Sequence, residues 1–199
     1  MKIGAVIVAA GMSSRMNDFK PMMKIDSITI LSRVISTLKC AGAEIIVVIT
    51  GFQSEILNEH LSGKNVVCIY NEKYETTEMF DSAKIGFTYL VDKCDKILFT
   101  PADIPLFSID TVKKIINSEG MVVKPIYKGR GGHPILLDTK IVQFILSYNG
   151  SGGLKNALLE TNAEIMRIEV DDIGILLDAD TQEDFKRLLE YNKEKISHQ

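Results

Sequence analysis

Apolar runs alternate with segments of helical periodicity along almost the whole chain. Residues 3–8, 44–50 and 96–100 are largely apolar at consecutive positions. Such runs are typical of parallel strands that are buried on both faces. Between the first two runs, apolar residues recur at spacings of three and four over residues 28–40, which predicts an amphipathic helix that stops at Gly42.

A less regular helical periodicity continues through the rest of the chain. It predicts helices over residues 53–61, 78–91, 108–117, 139–147, 153–161 and 181–193, the last with an apolar docking stripe at Phe185, Leu188 and Leu189. After residue 120 the order changes, because a glycine-rich turn at 128–132 separates strand-like segments at 121–127 and 133–137. This arrangement predicts a β-hairpin. One more strand is expected near residues 164–170.

Alternation of strand and helix implies right-handed crossovers between parallel strands. The expected fold is therefore α/β, with three layers in the order α/β/α and a mostly parallel Rossmann-like sheet that carries an inserted β-hairpin. A chain of 199 residues suits a single core. No repeat, low-complexity tract or linker interrupts the pattern, so residues 1–199 are expected to form one domain.

Charge and cysteine content narrow the possible environments. The 23 basic and 26 acidic residues nearly balance, which predicts neither nucleic-acid nor membrane binding and requires any polyanion to be held locally. No apolar stretch approaches the roughly 20 residues of a membrane span, and the apolar start is too short for a secretory signal. Cys40, Cys68 and Cys94 lack zinc-site spacing and are expected to be reduced core thiols of a cytoplasmic protein.

The strongest chemical signal follows the first predicted strand, where residues 9–16 read AAGMSSRM and Lys20 and Pro21 follow. Ligands of open parallel sheets bind beyond the carboxyl ends of the strands. Small residues let backbone N–H groups approach phosphate, Arg15 offers a planar fork, and Lys20 offers a mobile charge. The segment has neither the Walker A pattern nor the dinucleotide fingerprint. The alternative is a small-residue turn with two solvated cations.

This run, V-A-A-G-M-S-S-R-M-x-x-x-K-P, resembles the L-A-A-G-x-S-x-R-M-G-x-x-K signature of the MobA-like nucleotidyltransferase family, and most closely its molybdenum cofactor cytidylyltransferase branch. The resemblance covers nearly the whole chain and implies a fold of the nucleotide-diphospho-sugar transferase type. Asn17 replaces the usual Gly, a mild change because Asn tolerates positive φ. The resemblance implies nucleotide contacts at Ala9, Ala10, Gly11, Ser13, Arg15 and Lys20, with Arg15 and Lys20 also catalytic.

Asp103 lies just past a buried strand in the segment T-P-A-D-I-P-L, between two prolines that fix the backbone. Such a carboxylate is well placed to hold a hard cation over the ligand crevice. The segment resembles the family's P-x-D-x-P element, which implies that Asp103 is catalytic and binds Mg²⁺, with Mn²⁺ as a possible substitute. Ala102 is then expected beside the nucleotide. An ordinary turn or helix-capping Asp is the alternative.

A second carboxylate is expected from residues 177–184, which resemble the family's D-x-D-T-P-E-D-L element. Asp180 is the implied second metal ligand, with Asp178 as its substitute. Asp180 or Thr181 could instead cap the last helix. The two roles are compatible.

Residues 71–82 resemble the family's N-(x)₇-M-x-x-S segment, which implies that Asn71, Met79 and Ser82 line the nucleotide pocket. A loop Asn and a Met on a helix would look the same in sequence. His60 and His198 are expected to be solvated surface residues.

Residues 129–134 resemble the family's G-x-x-G-H-P turn, which faces the acceptor. This resemblance implies acceptor binding by Arg130, Gly132 and His133, with Arg130 and His133 able to touch a phosphate. A hairpin turn without any function would use the same glycines.

The implied activity is Mg²⁺-dependent transfer of CMP from CTP to the phosphate of molybdopterin, with release of pyrophosphate and a transient contact with a molybdenum enzyme. The Ala-Ala pair of the first loop favours cytosine, because guanine-using relatives usually carry Gly-Gly. The acceptor phosphate is already ionised, so no general base is needed. Two alternatives are a nucleotidyltransferase for a sugar phosphate or another small phosphorylated alcohol, and a non-catalytic protein that binds and delivers a nucleotide or cofactor.

Overall fold

A mostly parallel sheet forms the centre of the fold in the computed structural model, which describes residues 1–12 and 18–197. The strands are β1 (Ile3–Ala9), β2 (Lys24–Ile25), β3 (Ile28–Thr29), β4 (Ile45–Thr50), β5 (Val67–Tyr70), β6 (Lys96–Pro101), β7 (Val122–Tyr127), β8 (Arg130–Gly131), β9 (Ile135–Asp138) and β10 (Ile165–Glu169). The helices are α1 (Ile30–Ala41), α2 (Ser54–Leu61), α3 (Met79–Leu90), α4 (Ile109–Ile116), α5 (Thr139–Ser147), α6 (Gly153–Glu160) and α7 (Gln182–Ser197).

The strand order is β10-β7-β9-β6-β1-β4-β5. The short strand β8 also pairs with β7 but is not part of this order. β1 lies between β4 and β6 and is parallel to both, so that Val6 is opposite Val47 on one side and Phe99 on the other. All seven residues of β1 are buried. Because this strand has no solvent-facing side, its sequence is apolar throughout rather than alternating.

Helices cover both faces of the sheet, which confirms the three-layer expectation. One face packs against side chains of α1, α2 and α4, and the other against side chains of α3, α5 and α6. Gly86 allows α3 to lie close to the sheet, since a Cβ there would be 2.6 Å from a methyl carbon of Val6. None of the helices in the described part of the chain is long and apolar enough to span a membrane.

The amphipathic helix predicted over residues 28–40 begins two residues later than expected. The Thr29 side chain accepts a hydrogen bond from the Ser32 N–H and caps α1, so the helix starts at Ile30. Residues 28–29 instead pair with Lys24–Ile25 as a small antiparallel ribbon. The helix stops at Gly42 as predicted, in a left-handed conformation with φ of 115°.

The predicted hairpin is divided into two parts. β7 turns at Lys128 and Gly129, both with positive φ, and its last two residues pair with the two-residue β8. Residues 135–138 then leave the hairpin and enter the sheet as β9, antiparallel to both β6 and β7. The antiparallel pairing predicted between 121–127 and 133–137 is present, with Val122 opposite Leu137 and Val123 opposite Leu136. The short strand β8 and residues 132–134 intervene between the turn and β9.

The carboxyl-terminal helix packs as its apolar stripe predicts. Leu188 is fully buried, and Phe185 and Leu189 are partly buried in the same small cluster with Ile25 and Leu106. The helix extends to Ser197, beyond the predicted end at residue 193.

The prediction for the thiols is right for one cysteine only. All three cysteines are free, but Cys40 is exposed and Cys68 is half-buried, whereas Cys94 is buried. Cys94 lies against β1, where its sulfur would be 2.8 Å from a Cβ at Gly4.

Candidate active site

A first cleft opens where the adjacent strands β1 and β6 end. The strands run in the same direction, with Val8 opposite Pro101, so the loops that follow them meet at one edge of the sheet. The cleft contains about 640 Å³ of open space. Its lining includes the following residues from the predicted nucleotide and metal sets: Ala9, Ala10, Gly11, Met79, Ser82, Ala102 and Asp103.

Two predicted residues of the first loop cannot be placed in this cleft. Ser13 and Arg15 lie outside the described residues, which resume at Asp18. Their roles in nucleotide binding and catalysis stay predictions from the sequence.

Lys20 connects the two predicted metal-binding carboxylates. Its Nζ lies 2.7 Å from Asp180 Oδ1 and 3.8 Å from Asp103 Oδ2, although Asp180 is 160 positions away in sequence. The lysine side chain is only 12% exposed. It begins a short 3-10 helix, Lys20–Met22, that the buried Pro21 holds in place. The fold thus gathers three predicted residues at one point beside the first cleft.

Thr181 takes part in capping α7, and Asp180 contacts Lys20. Thr181 Oγ1 accepts a hydrogen bond from the Asp184 N–H, and the Asp184 carboxylate accepts one from the Thr181 N–H. This reciprocal pair caps α7. The Asp180 carboxylate accepts a hydrogen bond from Lys20, so it lies where a metal-binding role would require it.

The electrostatic balance at this point disfavours ionised carboxylates. Burial raises the pKa of Asp103, and Asp180 and Asp178 raise it further, while Lys20 acts in the opposite direction. Burial and then Asp180 also raise the pKa of Asp178. Among the described residues, Lys20 is the cation that lowers the pKa of both Asp103 and Asp178, and additional positive charge would further stabilise their ionised forms.

The same donors fit a divalent cation. The described residues contain no group of three or more His, Cys, Asp or Glu side chains that could hold a metal alone. Mg²⁺ commonly takes only one or two protein carboxylates and completes its shell with water and substrate phosphate. Asp103 and Asp180, which both face Lys20, supply that set.

Asn71 lies behind the cleft wall rather than in it. Its Oδ1 accepts a hydrogen bond from the Lys73 N–H at 3.0 Å, which fixes the orientation of the amide. Its Nδ2 then donates to Thr77 Oγ1 and to Ser82 Oγ, both at 3.0 Å. Asn71 is 4% exposed, so its contribution is to orient the two hydroxyl groups.

These hydrogen bonds leave the hydroxyl hydrogen of Ser82 unused at the edge of the first cleft. The Thr77 hydroxyl donates to the Lys73 carbonyl at 2.8 Å, so its hydrogen is already used. Ser82 Oγ accepts from Asn71, and no described residue accepts the Ser82 hydroxyl hydrogen. The Ser82 hydroxyl hydrogen is therefore available to an acceptor in the first cleft, which Ser82 lines.

A second, larger cleft adjoins the first and shares Glu78 and Met79 with it. It holds about 1600 Å³ of open space between α6 and the face of the sheet formed by β7, β9 and β10. Of the predicted acceptor residues, His133 lines this cleft, whereas Arg130 and Gly132 do not. Arg130 is exposed on the two-residue strand β8.

His133 is a neutral residue in the fold. Burial lowers the pKa of its imidazole to about 4, and nearby Lys124 lowers it too, against the hydrogen bond to the Phe99 carbonyl. That bond, 3.5 Å from Nδ1, makes Nδ1 the protonated nitrogen. A contact of His133 with an acceptor phosphate stays a prediction, and at neutral pH it would be made by a neutral imidazole.

Gly132 serves packing. A Cβ at this position would lie 2.4 Å from the carbonyl oxygen of Ile175. The Gly132 N–H donates to the Pro125 carbonyl, and the His133 N–H donates to the Ile175 carbonyl. These contacts hold the turn against the short 3-10 helix Ile173–Leu176 and orient His133 toward the second cleft.

Sequence reasoning missed three cations that line the second cleft. Lys124 and Arg167 lie within strands, and Lys155 lies in the first turn of α6. The available signal was a basic residue inside each of two apolar strand segments, V-V-K-P-I-Y and I-M-R-I-E.

His60 also differs from its prediction as a solvated residue. Its Nε2 lies 3.0 Å from Thr29 Oγ1 and 2.8 Å from Ser32 Oγ, so it ties α2 to the start of α1. His198 lies outside the described residues.

Comparisons with known proteins identify the family. Residues 5–165 match the MobA-like NTP transferase domain family. The chain is 29% identical to the molybdenum cofactor cytidylyltransferase of Escherichia coli over 186 residues, which cover 92% of this chain and 93% of that protein.

Solved structures share the fold over almost the full length. A nucleotidyl transferase from Methanothermobacter thermautotroptrophicus superposes with a TM-score of 0.83 at 22% identity, covering 96% of this chain and 97% of that one. The Rv0371c protein of Mycobacterium tuberculosis in complex with manganese gives a TM-score of 0.79 at 19% identity, covering 96% and 99%. At these identities the likeness shows the fold.

Proposed function

The chain belongs to the MobA-like NTP transferase family, and on that premise we propose that it transfers CMP from CTP to the phosphate of molybdopterin and releases pyrophosphate. It is an enzyme of the nucleotidyltransferase type. The relative of 29% identity is named as a molybdenum cofactor cytidylyltransferase, which supports this choice of nucleotide and acceptor. We further propose that residues 1–199 act as one domain in the cytoplasm.

The observation that carries the proposal is the convergence of Lys20, Asp103 and Asp180 beside the first cleft. A triphosphate needs positive charge along its phosphates and a cation at the reacting end. Lys20 supplies the first, and the two carboxylates fit the second. Ala9, Ala10 and Gly11 line the same cleft without large side chains, which leaves space for the nucleotide.

The directed hydroxyl of Ser82 supports a pyrimidine base. Because Asn71 donates to its oxygen, the Ser82 hydroxyl could donate its hydrogen to a base in the cleft. Cytosine and uracil present a carbonyl oxygen beside the glycosidic bond that could accept this bond, whereas adenine has no carbonyl and guanine carries its carbonyl on the far edge of a larger ring. Such a contact would favour pyrimidine over purine nucleotides but would not separate CTP from UTP.

The proposed reaction is a direct displacement at the α-phosphorus. An oxygen of the acceptor phosphate forms a bond to this phosphorus, and the bond to the bridging oxygen breaks, so that pyrophosphate leaves. The acceptor phosphate is ionised at neutral pH, since its second pKa is about 6, and no base is required. Lys20 would offset charge on the phosphates while the cleft holds the reactants in line.

A divalent cation bound by Asp103 and Asp180 would supply further charge compensation on the triphosphate. The two carboxylates would hold this cation, and Lys20, whose Nζ lies near both of them, would interact with the phosphates. Asp103 must be ionised to bind the cation. Because the pKa of Asp103 is raised, cation binding should depend on pH.

Radiolabelled pyrophosphate exchange into CTP tests the proposal. With Mg²⁺ and the CMP adduct of molybdopterin, the enzyme should form labelled CTP, and unlabelled CTP should convert molybdopterin to that adduct. Transfer to a sugar phosphate or another phosphorylated alcohol in preference to molybdopterin would replace the acceptor. Absence of transfer to any acceptor, together with tight CTP binding, would indicate a delivery protein.

A further inference from the structure

Lys124, Lys155 and Arg167 line the second cleft without carboxylate partners. No described carboxylate lies within salt-bridge distance of any of the three, whereas Lys20, Arg33 and Arg187 all form ion pairs. Glu78 is the acidic side chain in the described lining of this cleft, and it lies at the wall shared with the first cleft. The second cleft is therefore strongly cationic.

The strand register places two of these cations side by side. Lys124 of β7 is the pairing partner of Arg167 of β10, and residues paired in a parallel sheet project from the same face. Like charges on directly adjacent strand positions destabilise a sheet. An anion bound between the two side chains would offset their repulsion.

The neighbouring contacts keep Lys124 directed into the cleft. A Cβ at Gly131 would lie 2.4 Å from its Cε and 2.9 Å from its Nζ, so the lysine side chain passes directly over that glycine. Lys124 is also close enough to lower the pKa of His133. Lys155, in the first turn of α6, approaches from the opposite wall.

The three cations are distinct from the reacting point. None of them is among the described residues that line the first cleft, where Asp103 lies. The alternation of β7 places Lys124 between Val122 and Ile126 on the cleft face, so the charged group is held among apolar side chains. If the phosphate of the acceptor attacks the nucleotide beside Asp103, it binds in the first cleft, which the three cations do not line. They would then bind another part of the acceptor.

We infer that Lys124, Lys155 and Arg167 bind a second anionic group of the acceptor, separate from the phosphate that attacks the nucleotide. This inference rests on the proposed function for the identity of the attacking phosphate. The acceptor class is then a molecule with an apolar or flat body and two separated anionic groups. A small alcohol with one phosphate would not engage the three cations.

Steady-state kinetics with molybdopterin test the assignment. Arg167→Gln and Lys124→Gln should each raise the KM for molybdopterin about tenfold, with kcat and the KM for CTP changed less than twofold. With glycerol 3-phosphate as acceptor, which has one anionic group, the same variants should leave the KM unchanged. Lys113→Gln, an exposed lysine of α4 beyond the opposite face of the sheet, is the matched control.

A binding measurement separates this inference from the proposed function. Pterin-6-carboxylate, a flat heterocycle with one carboxylate, should bind wild-type enzyme and Lys113→Gln equally, and bind Arg167→Gln about tenfold more weakly, by quenching of its fluorescence. That result would support the subsite even if no CMP transfer occurred. Equal binding by all three proteins, or molybdopterin kinetics indifferent to Lys124 and Arg167, would overturn it.

Discussion

Asp103 has to be ionised for its proposed role in a place where burial favours its protonated form. Its position past β6 and between two prolines could be predicted from the sequence. Its proximity to Asp180 was implied only by the family resemblance. The contact of Lys20 with Asp180 could not be predicted from the residues themselves, because it joins segments 160 positions apart. Similarly, the sequence identified Asn71 and Ser82 without revealing that one orients the other.

Asp103→Asn should lower activity and raise stability together. Because burial raises the pKa of Asp103, the folded state binds its proton more tightly than the unfolded state does, and the ionised carboxylate costs stability at neutral pH. The variant should lose at least about 100-fold in kcat while its Tm at pH 7 increases. The Tm difference should shrink as pH falls through the raised pKa.

Kinetics and thermal unfolding of both proteins, with the exposed Asp92→Asn as control, measure the two effects. An Asp103→Asn enzyme with unchanged kcat would remove Asp103 from the mechanism. A lowered Tm at pH 7 would contradict its electrostatic environment as described.

Ser82→Ala should weaken the binding of pyrimidine nucleotides selectively. Loss of the hydroxyl directed by Asn71 should raise the KM for CTP and UTP about tenfold with little change in kcat, and leave weak ATP binding unaffected. Thr88→Ala removes a hydroxyl from an exposed position on the same helix and is the control. Equal weakening of all three nucleotides would mean that Ser82 does not contact the base.

At the scale of elements, a regular apolar periodicity predicted helices and strands correctly. Elements without such a periodicity could not be predicted. α1 and the long buried strands follow directly from their apolar spacing. β5 has only four residues, and the 3-10 helices Lys20–Met22 and Ile173–Leu176 are too short to show a period. The split of the predicted hairpin depends on Gly132 packing against Ile175, a tertiary contact that local sequence does not encode.

Asp172 joins the second 3-10 helix to α4 and should be essential for stability. Its buried carboxylate accepts hydrogen bonds from the Ser108 N–H, the Thr111 hydroxyl and the Gly174 N–H. Asp172→Ala would leave these donors unsatisfied and should lower the free energy of unfolding by about 3 kcal/mol. Urea denaturation of this variant and of the exposed neighbour Asp171→Ala makes the comparison; equal losses would refute the role.

At the scale of the whole molecule, stability should fall between about pH 6.5 and pH 4 in part because of His133. Burial lowers its pKa from 6.5 to about 4, so the unfolded state binds the proton first as pH falls. The stabilisation is present above pH 6.5 and is lost toward pH 4, about 3 kcal/mol in total.

Urea denaturation of wild type and His133→Gln between pH 6.5 and pH 4 measures that contribution. For each protein, the free energy of unfolding is plotted against pH, and the two slopes are compared. The variant should show a shallower decrease in stability. Identical slopes would contradict the buried neutral imidazole. An NMR titration in which the His133 ring takes up its proton near pH 6.5 would contradict it too.

The most direct test of the account is the position of a metal in a crystal grown with Mn²⁺ and a non-hydrolysable CTP analogue. The anomalous signal of manganese should lie between the Asp103 and Asp180 carboxylates and the analogue's phosphates, with the cytosine ring within reach of Ser82. Manganese and nucleotide bound away from the first cleft, or a metal that contacts neither aspartate, would contradict the account.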